Sequence, residues 1–378
     1  MMENQTYDDL RPYRDEEIPA AMQRIVANPY FRALAAYLYP EVAVEKLEEQ
    51  FRNIRTVNQF QLEVMDKAIK TIVAKSTQGF SCHGLECLDP NRRYLFVSNH
   101  RDILLDSALL QIALVAQGMP TTEITFGSNL MQGELVIDIG KSNKMFKVIR
   151  GGNPRDFYRH SVHLSHYIRH TLLDKKESVW IAQRNGRTKN GHDATDQGLV
   201  KMFTLSGGQD ILRSLAQLNI VPVAVSYQYD TCDSLKAREL YLSREQKYIK
   251  APGEDLHSIL TGVTEEKGYV HIEVMPSLEY EELCAFRKLE KNEMISAVVR
   301  LIDQRIYRGF RLWNTNYIAW DMLNHTFDYT DRYTPEEYRD FAVRMHERLQ
   351  YFEGDQIELM NIFLKIYANP VRNQEVGW

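Results

Sequence analysis

The stretch whose reading decides the fold is Tyr94 to Leu110, YLFVSNHRDILLDSALL. Tyr94 to Val97 form an unbroken apolar run of strand length, and Ile103, Leu104, Ala108 and Leu110 then recur at helical spacing. Ser98, Asn99 and His100 therefore fall in a strand-to-helix turn. In an open α/β sheet, ligands gather outside the carboxyl ends of the strands, where helix N-termini also turn free amides toward anions. His100 would stand there with Asp102 and Asp106 close behind it. A carboxylate beside an imidazole holds one tautomer and stabilises the cation formed when the ring takes a proton. Such a ring can serve as general base toward a hydroxyl. No Ser or Cys in a nucleophile elbow accompanies the pair, and a histidine at a turn has a plainer use in capping or packing.

Working outward, 378 residues with 44% hydrophobic and 26% charged side chains can bury a large core and leave room for about two domains, or one with an appendage. A net charge of −5 argues against a protein built mainly to bind nucleic acid. Cys82, Cys87, Cys232 and Cys284 show no CxxC spacing, and with no signal-like N-terminus they read as free thiols in a reducing cytoplasm. His83 between Cys82 and Cys87 makes a corner for a metal but has no second ligand pair after it. The longest apolar stretch, Ser107 to Met119, is too short to span a bilayer and carries Gln111 and Gln117. Any work on lipid must then be done from the membrane surface.

Pro19 to Leu38 and Val44 to Lys75 read as two helical patterns separated by Tyr39-Pro40, and Thr77 to Pro90 as an irregular connection. Strands are expected at Tyr94 to Val97, Glu123 to Phe126, Val179 to Ala182, Val221 to Ser226 and Tyr269 to Val274, with helical patterns between most of them. From about Tyr280 the chain returns to helix, and Thr334-Pro335-Glu336-Glu337 is an N-terminal capping signature. The expected class is α/β: a mixed, largely parallel sheet flanked by helices over residues 81–280, with helical additions at 1–80 and 281–378.

Between Gly140 and Lys201, thirteen lysines and arginines face five aspartates and glutamates, a local excess of +8 in a chain of −5. Placed straight after the His100 segment, that excess points to an anionic substrate, although a solvated basic face has the same composition. Two pieces put arginine at the end of an apolar run: Phe146 to Gly152, with Arg150, and Val179 to Lys189, with Arg184 and Arg187. Arginine's fork suits phosphate, lysine supplies a point charge, and Gly151, Gly152 and Gly186 allow close backbone approach. Ile220 to Val225 is a buried strand opening with Pro222.

The succession of Asn99-His100-Arg101-Asp102 with Asp106, then Phe146 to Arg150, then Gln183 to Lys189, then Val221-Pro222-Val223, resembles the four ordered blocks of the glycerolipid acyltransferases, the glycerol-3-phosphate and 1-acylglycerol-3-phosphate acyltransferase superfamily. The resemblance covers about Leu85 to Tyr227. It implies a glycerol-3-phosphate acyltransferase-like fold and transfer of a fatty acyl group from acyl-CoA or acyl-carrier protein to a hydroxyl of glycerol-3-phosphate or a lyso-phospholipid, without metal or cofactor. It further implies a His–Asp catalytic pair, substrate binding by Arg101, Arg150, Asn185, Gly186, Arg187 and Lys189, with Arg150, Arg187 and Lys189 holding the phosphate, and work at the cytoplasmic face of a membrane. The family's His-x4-Asp spacing falls on Leu105, so Asp106 is the favoured partner of His100, with Asp102 as second choice and helix cap. The family's third block, Glu-Gly-x-Arg, is met by Arg184-Asn185-Gly186-Arg187, which lacks the glutamate. Backbone amides of the following helix are expected to receive the oxyanion.

His163, His166 and His170 share a helical face and read as a polar surface rather than a metal site. Phe310, Trp313, Tyr317 and Trp320 form a helical stripe that reads as packing rather than a membrane anchor. Beside the phospholipid-synthesis enzyme stand two other readings: a non-catalytic lipid-binding relative, and an O-acyltransferase for an amino-acid or other lyso-lipid.

Overall fold

The computed structural model describes residues 7–149, 151 and 153–376. Among these, seven strands form one sheet: β1 (Gly79–His83), β2 (Leu95–Ser98), β3 (Glu123–Gly127), β4 (Met145–Val148), β5 (Val179–Ala182), β6 (Ile220–Tyr227) and β7 (Tyr269–Val274). Their spatial order is β1-β7-β6-β2-β5-β3-β4, every neighbouring pair parallel except β6 and β7. All residues of β2 and β6 are buried, as continuous apolar strands must be at the centre of a sheet covered on both faces.

Alternation along β2 feeds two cores. Leu95 and Val97 join Val179 and Ile181 under helices Pro154–Leu173, Gln197–Thr204 and Lys291–Gly309. Phe96 joins Ile124, Trp180 and Val221 under helix Leu105–Ala116, which is buried on every side from Leu105 to Leu114. Separate apolar clusters hold the N-terminal helices together around Met22, Phe31 and Phe60, and the C-terminal ones around Ile318, Phe341 and Phe363.

The mixed, largely parallel sheet with helical ends is as expected, but some elements differ. Gly79–His83 is an edge strand on β7 and not an irregular connection; its pattern of small and polar residues hides it from a search for apolar runs. The first N-terminal helix breaks into Ile18–Ala27 and Phe31–Leu38 at Asn28-Pro29. The second ends at Asn53 and restarts where Thr56 and Gln59 form a capping box. The aromatic stripe is not one helix. Helix Lys291–Gly309 stops before Phe310, and Trp313 caps the next helix, Asn314–Asn324. Phe310 is buried, Trp313 stacks on Tyr269 at 6.0 Å, and Tyr317 and Trp320 pack on Tyr329.

The connection leaving β2 runs to β3 on one side, whereas that leaving β5 crosses back to β6 on the other. The two connections run over opposite faces of the sheet, which leaves a crevice between the carboxyl ends of these adjacent parallel strands. His100 follows β2 and Gln183 to Lys189 follow β5, so both lie at that crevice.

Candidate active site

Asn99 fixes the end of β2. Its side chain pairs with β6 as a backbone group would, Oδ1 accepting from the Val225 amide at 2.7 Å and Nδ2 donating to the Val225 carbonyl at 2.9 Å. His100 follows immediately. Its Nδ1 lies 2.9 Å from Asp106 Oδ2, and its ring stands edge-on to Trp180 at 6.0 Å. Nε2 has no hydrogen-bond partner among the described residues and is the nitrogen left for a substrate.

Asp106 is fully buried and tightly held. Oδ2 also accepts the amides of Arg101 at 2.7 Å and Asp102 at 2.9 Å, and Oδ1 accepts the Tyr227 hydroxyl at 2.7 Å. Burial first, then the Asp106 and Asp102 carboxylates, raise the Tyr227 hydroxyl well above its ordinary ionisation, so it stays a donor. With an accepting carboxylate at Nδ1, the imidazole carries its proton there and presents a basic Nε2.

Asp102 has a different task. Its Oδ1 accepts the amides of Leu104 at 2.9 Å and Leu105 at 2.8 Å, capping helix Leu105–Ala116, while its buried Oδ2 has no partner. The structure therefore brings Asp106, not Asp102, to His100. The extra residue in the spacing is taken up in a turn whose amides fold around the two carboxylates. Those of Arg101, Asp102, Leu104 and Leu105 are thereby occupied.

Arg101 is a correction to the substrate-binding role expected for it. Only 2% exposed, it faces the interior: Nη2 donates to Asp193 at 2.6 Å, Nη1 to Asp230 at 2.8 Å, and its guanidinium lies 5.1 Å from the Phe310 ring centroid. Burial works to lower its ionisation, and the two carboxylates outweigh that and raise it. Lys236, also buried, donates to the Arg101 carbonyl at 2.8 Å and pairs with Asp230, so two cations and two anions close the group. Arg101 braces the His100–Asp106 turn from behind and has no nitrogen directed at solvent.

The segment after β5 returns to His100, with the Thr188 amide donating to the His100 carbonyl at 2.7 Å. Arg187 is buried, and its Nη1 has no partner among the described residues. Its charge is felt by the Cys232 thiol together with that of Asp102, and by Asp255 on helix Glu254–Thr264. Gly186 takes a left-handed φ of 78°, which turns the chain between exposed Asn185 and buried Arg187. Lys189 pairs with Glu239. Arg150 lies outside the described residues.

Beside this turn, at the carboxyl ends of β3, β4 and β5, is a cleft of about 200 Å³. Val148, Ile149, Phe157, Leu164, Ile181 and Met202 give it apolar walls, and Lys147, Arg184 and Asn185 stand among them; His100 does not line it. The histidines of helix Pro154–Leu173 do not converge. His163 and His170 stack on Tyr7, His163 reaching Asp9 at 3.1 Å and His170 reaching Asp174 at 2.9 Å.

Sequence reasoning missed the groups behind the pair: Tyr227 on β6, and Asp193, Asp230 and Lys236 around Arg101. Each comes from a distant part of the chain, so no local spacing marks it.

Residues 79–226 match the family model described as Acyltransferase. A search of solved structures finds similarity to the 1-acyl-sn-glycerophosphate acyltransferase PlsC from Thermotoga maritima, at 11% identity and a TM-score of 0.36, covering 77% of this chain and 97% of that one. No curated protein matches the chain.

Proposed function

Because residues 79–226 match the Acyltransferase family model, we propose that the chain moves a fatty acyl group from a thioester of coenzyme A or acyl-carrier protein to a hydroxyl of glycerol-3-phosphate or 1-acylglycerol-3-phosphate. The observation that carries this is the contact of His100 Nδ1 with buried Asp106 while Nε2 is left open. Nε2 takes the proton of the acceptor hydroxyl as its oxygen attacks the thioester carbonyl carbon. The C–S bond then breaks, and His100 returns the proton to the departing sulfur. Asp106 steadies the imidazolium formed in between.

The remaining task is positioning, since the thioester is already activated. Arg187, buried with a free Nη1, is suited to the acceptor's phosphate, and Asn185 and Gly186 shape the approach to it. The apolar cleft over β3 to β5 suits an acyl chain. No described helix is long and apolar enough to cross a membrane. Ile249, Leu256 and Leu260 are exposed on and before the helix that carries Asp255, which supports contact with a membrane surface on that side.

The test is an acyl-transfer assay with purified protein, crossing both donors with both acceptors. Turnover with at least one pair, abolished in His100→Ala with the fold intact by circular dichroism, is expected. A wild type that binds these lipids but turns over none of the combinations would be a binding protein, and the proposal would fall.

A further inference from the structure

Strand register assembles a second group of side chains at the far edge of the sheet. In the parallel pairing of β1 with β7, Ser81 is the register partner of His271 and His83 that of Glu273. Residues two apart on a strand share a face, so the four side chains project from one side of the sheet as a square. Cys82, between them, is turned to the other side and packs on the apolar core.

The donor atoms converge. His271 Nε2 is 3.0 Å from Glu273 Oε2, His83 Nδ1 is 3.9 Å from the same oxygen, and the two rings are 5.0 Å apart at 73°. One ligand atom from each of His83, His271 and Glu273 lies within 4.8 Å of the others, the only such group of histidine, cysteine and acidic residues among the described residues. Ser81 Oγ is 2.8 Å from His271 Nδ1. An outer partner of that kind fixes the tautomer of a metal-bound imidazole and directs its other nitrogen at the ion.

We propose that His83, His271 and Glu273 bind a divalent transition metal of the zinc class, with a solvent molecule completing the coordination. Two imidazoles and a carboxylate are a donor set that zinc accepts in four-coordinate geometry, whereas calcium and magnesium prefer oxygen alone. Burial is graded across the set: the His271 side chain is 4% exposed, Glu273 31% and His83 64%. Two ligands are thus held by β7 and its packing, and the third closes from the edge strand, which gives an ion a way in. The ion would tie β1 to the sheet. It would take no part in acyl transfer, because β7 and β6 stand between β1 and β2.

The experiment is zinc titration of the full-length, chelator-stripped protein by calorimetry, with Co2+ absorption as a second readout. One zinc per chain is expected, with Co2+ bands of a nitrogen and oxygen site and no thiolate charge transfer. His83→Ala and Glu273→Gln should each weaken binding at least tenfold, and Ser81→Ala by about tenfold. Zinc should raise the melting temperature of the wild type and leave that of His83→Ala unmoved; exposed His83 can be removed without disturbing the apo fold. Absence of binding under a large excess of Zn2+, or binding equal in the wild type and both ligand variants, would overturn the proposal.

Discussion

At the scale of single residues, the two aspartates behind His100 have separate tasks, and substitution should separate them. Asp106→Asn leaves Nδ1–H without an anionic acceptor and should lower kcat by about 10²–10⁴-fold. Asp102→Ala removes a helix cap and should cost about 1 kcal/mol of stability, read from urea unfolding, while the His100–Asp106 contact and most of kcat survive. Arg187→Ala should raise KM for the phosphorylated acceptor, roughly 10- to 150-fold for a charge-assisted hydrogen bond of about 1.5–3 kcal/mol, and leave KM for the thioester unchanged. His100 with a nearby carboxylate was legible in the sequence because both lie in one short turn. Which carboxylate was less so, since it depends on how the Arg101 and Asp102 amides fold back on Asp106.

At the scale of elements, Gly262 shows packing overriding local preference. It sits inside helix Glu254–Thr264, where alanine would ordinarily be favoured by about 1 kcal/mol. A Cβ there would stand 2.3 Å from Asp102 Oδ2 and 3.2 Å from its Cγ. Gly262→Ala should therefore lower the melting temperature, by driving Asp102 from its cap, and leave most of kcat in place. The central strands were legible as apolar runs because they are buried on both faces. Edge strand β1 was not, since its partner β7 lies far along the chain and its outward face is polar. Pro29 and the Thr56–Gln59 capping box mark the helix breaks in hindsight, but apolar spacing continues across both.

At the scale of the molecule, the group of Arg101, Asp193, Asp230 and Lys236 joins β2, the loop after β5 and the end of β6. Arg101→Ala would leave two buried carboxylates short of a partner and should cost about 3–5 kcal/mol in urea unfolding. Asp303, on helix Lys291–Gly309, is raised by burial from an ordinary 3.8 to about 6, despite the Thr195 amide it accepts at 2.8 Å. The folded chain thus keeps a proton that the unfolded chain loses, so this group's contribution to stability is fully present below 3.8 and lost as pH rises through about 6. Asp303→Asn should flatten the pH dependence of the urea midpoint across that window. This network was not legible beforehand: its members are separated by long stretches of chain, Arg101 reads in the sequence as a substrate-binding residue, and Asp193, Asp230 and Lys236 look like ordinary surface charges.

Helix Gln356–Val376 also reaches this group. Its Ile366 carbonyl lies against Gly191, where a Cβ would come within 2.3 Å, and its Tyr367 hydroxyl accepts the Asp230 amide at 3.0 Å and donates to Asp233 at 2.7 Å. The dyad is therefore encoded early and braced late. A nascent polypeptide leaving the ribosome would carry His100 and Asp106 long before Tyr367 arrives to lock the residues behind them, so competence should appear only once that helix has emerged.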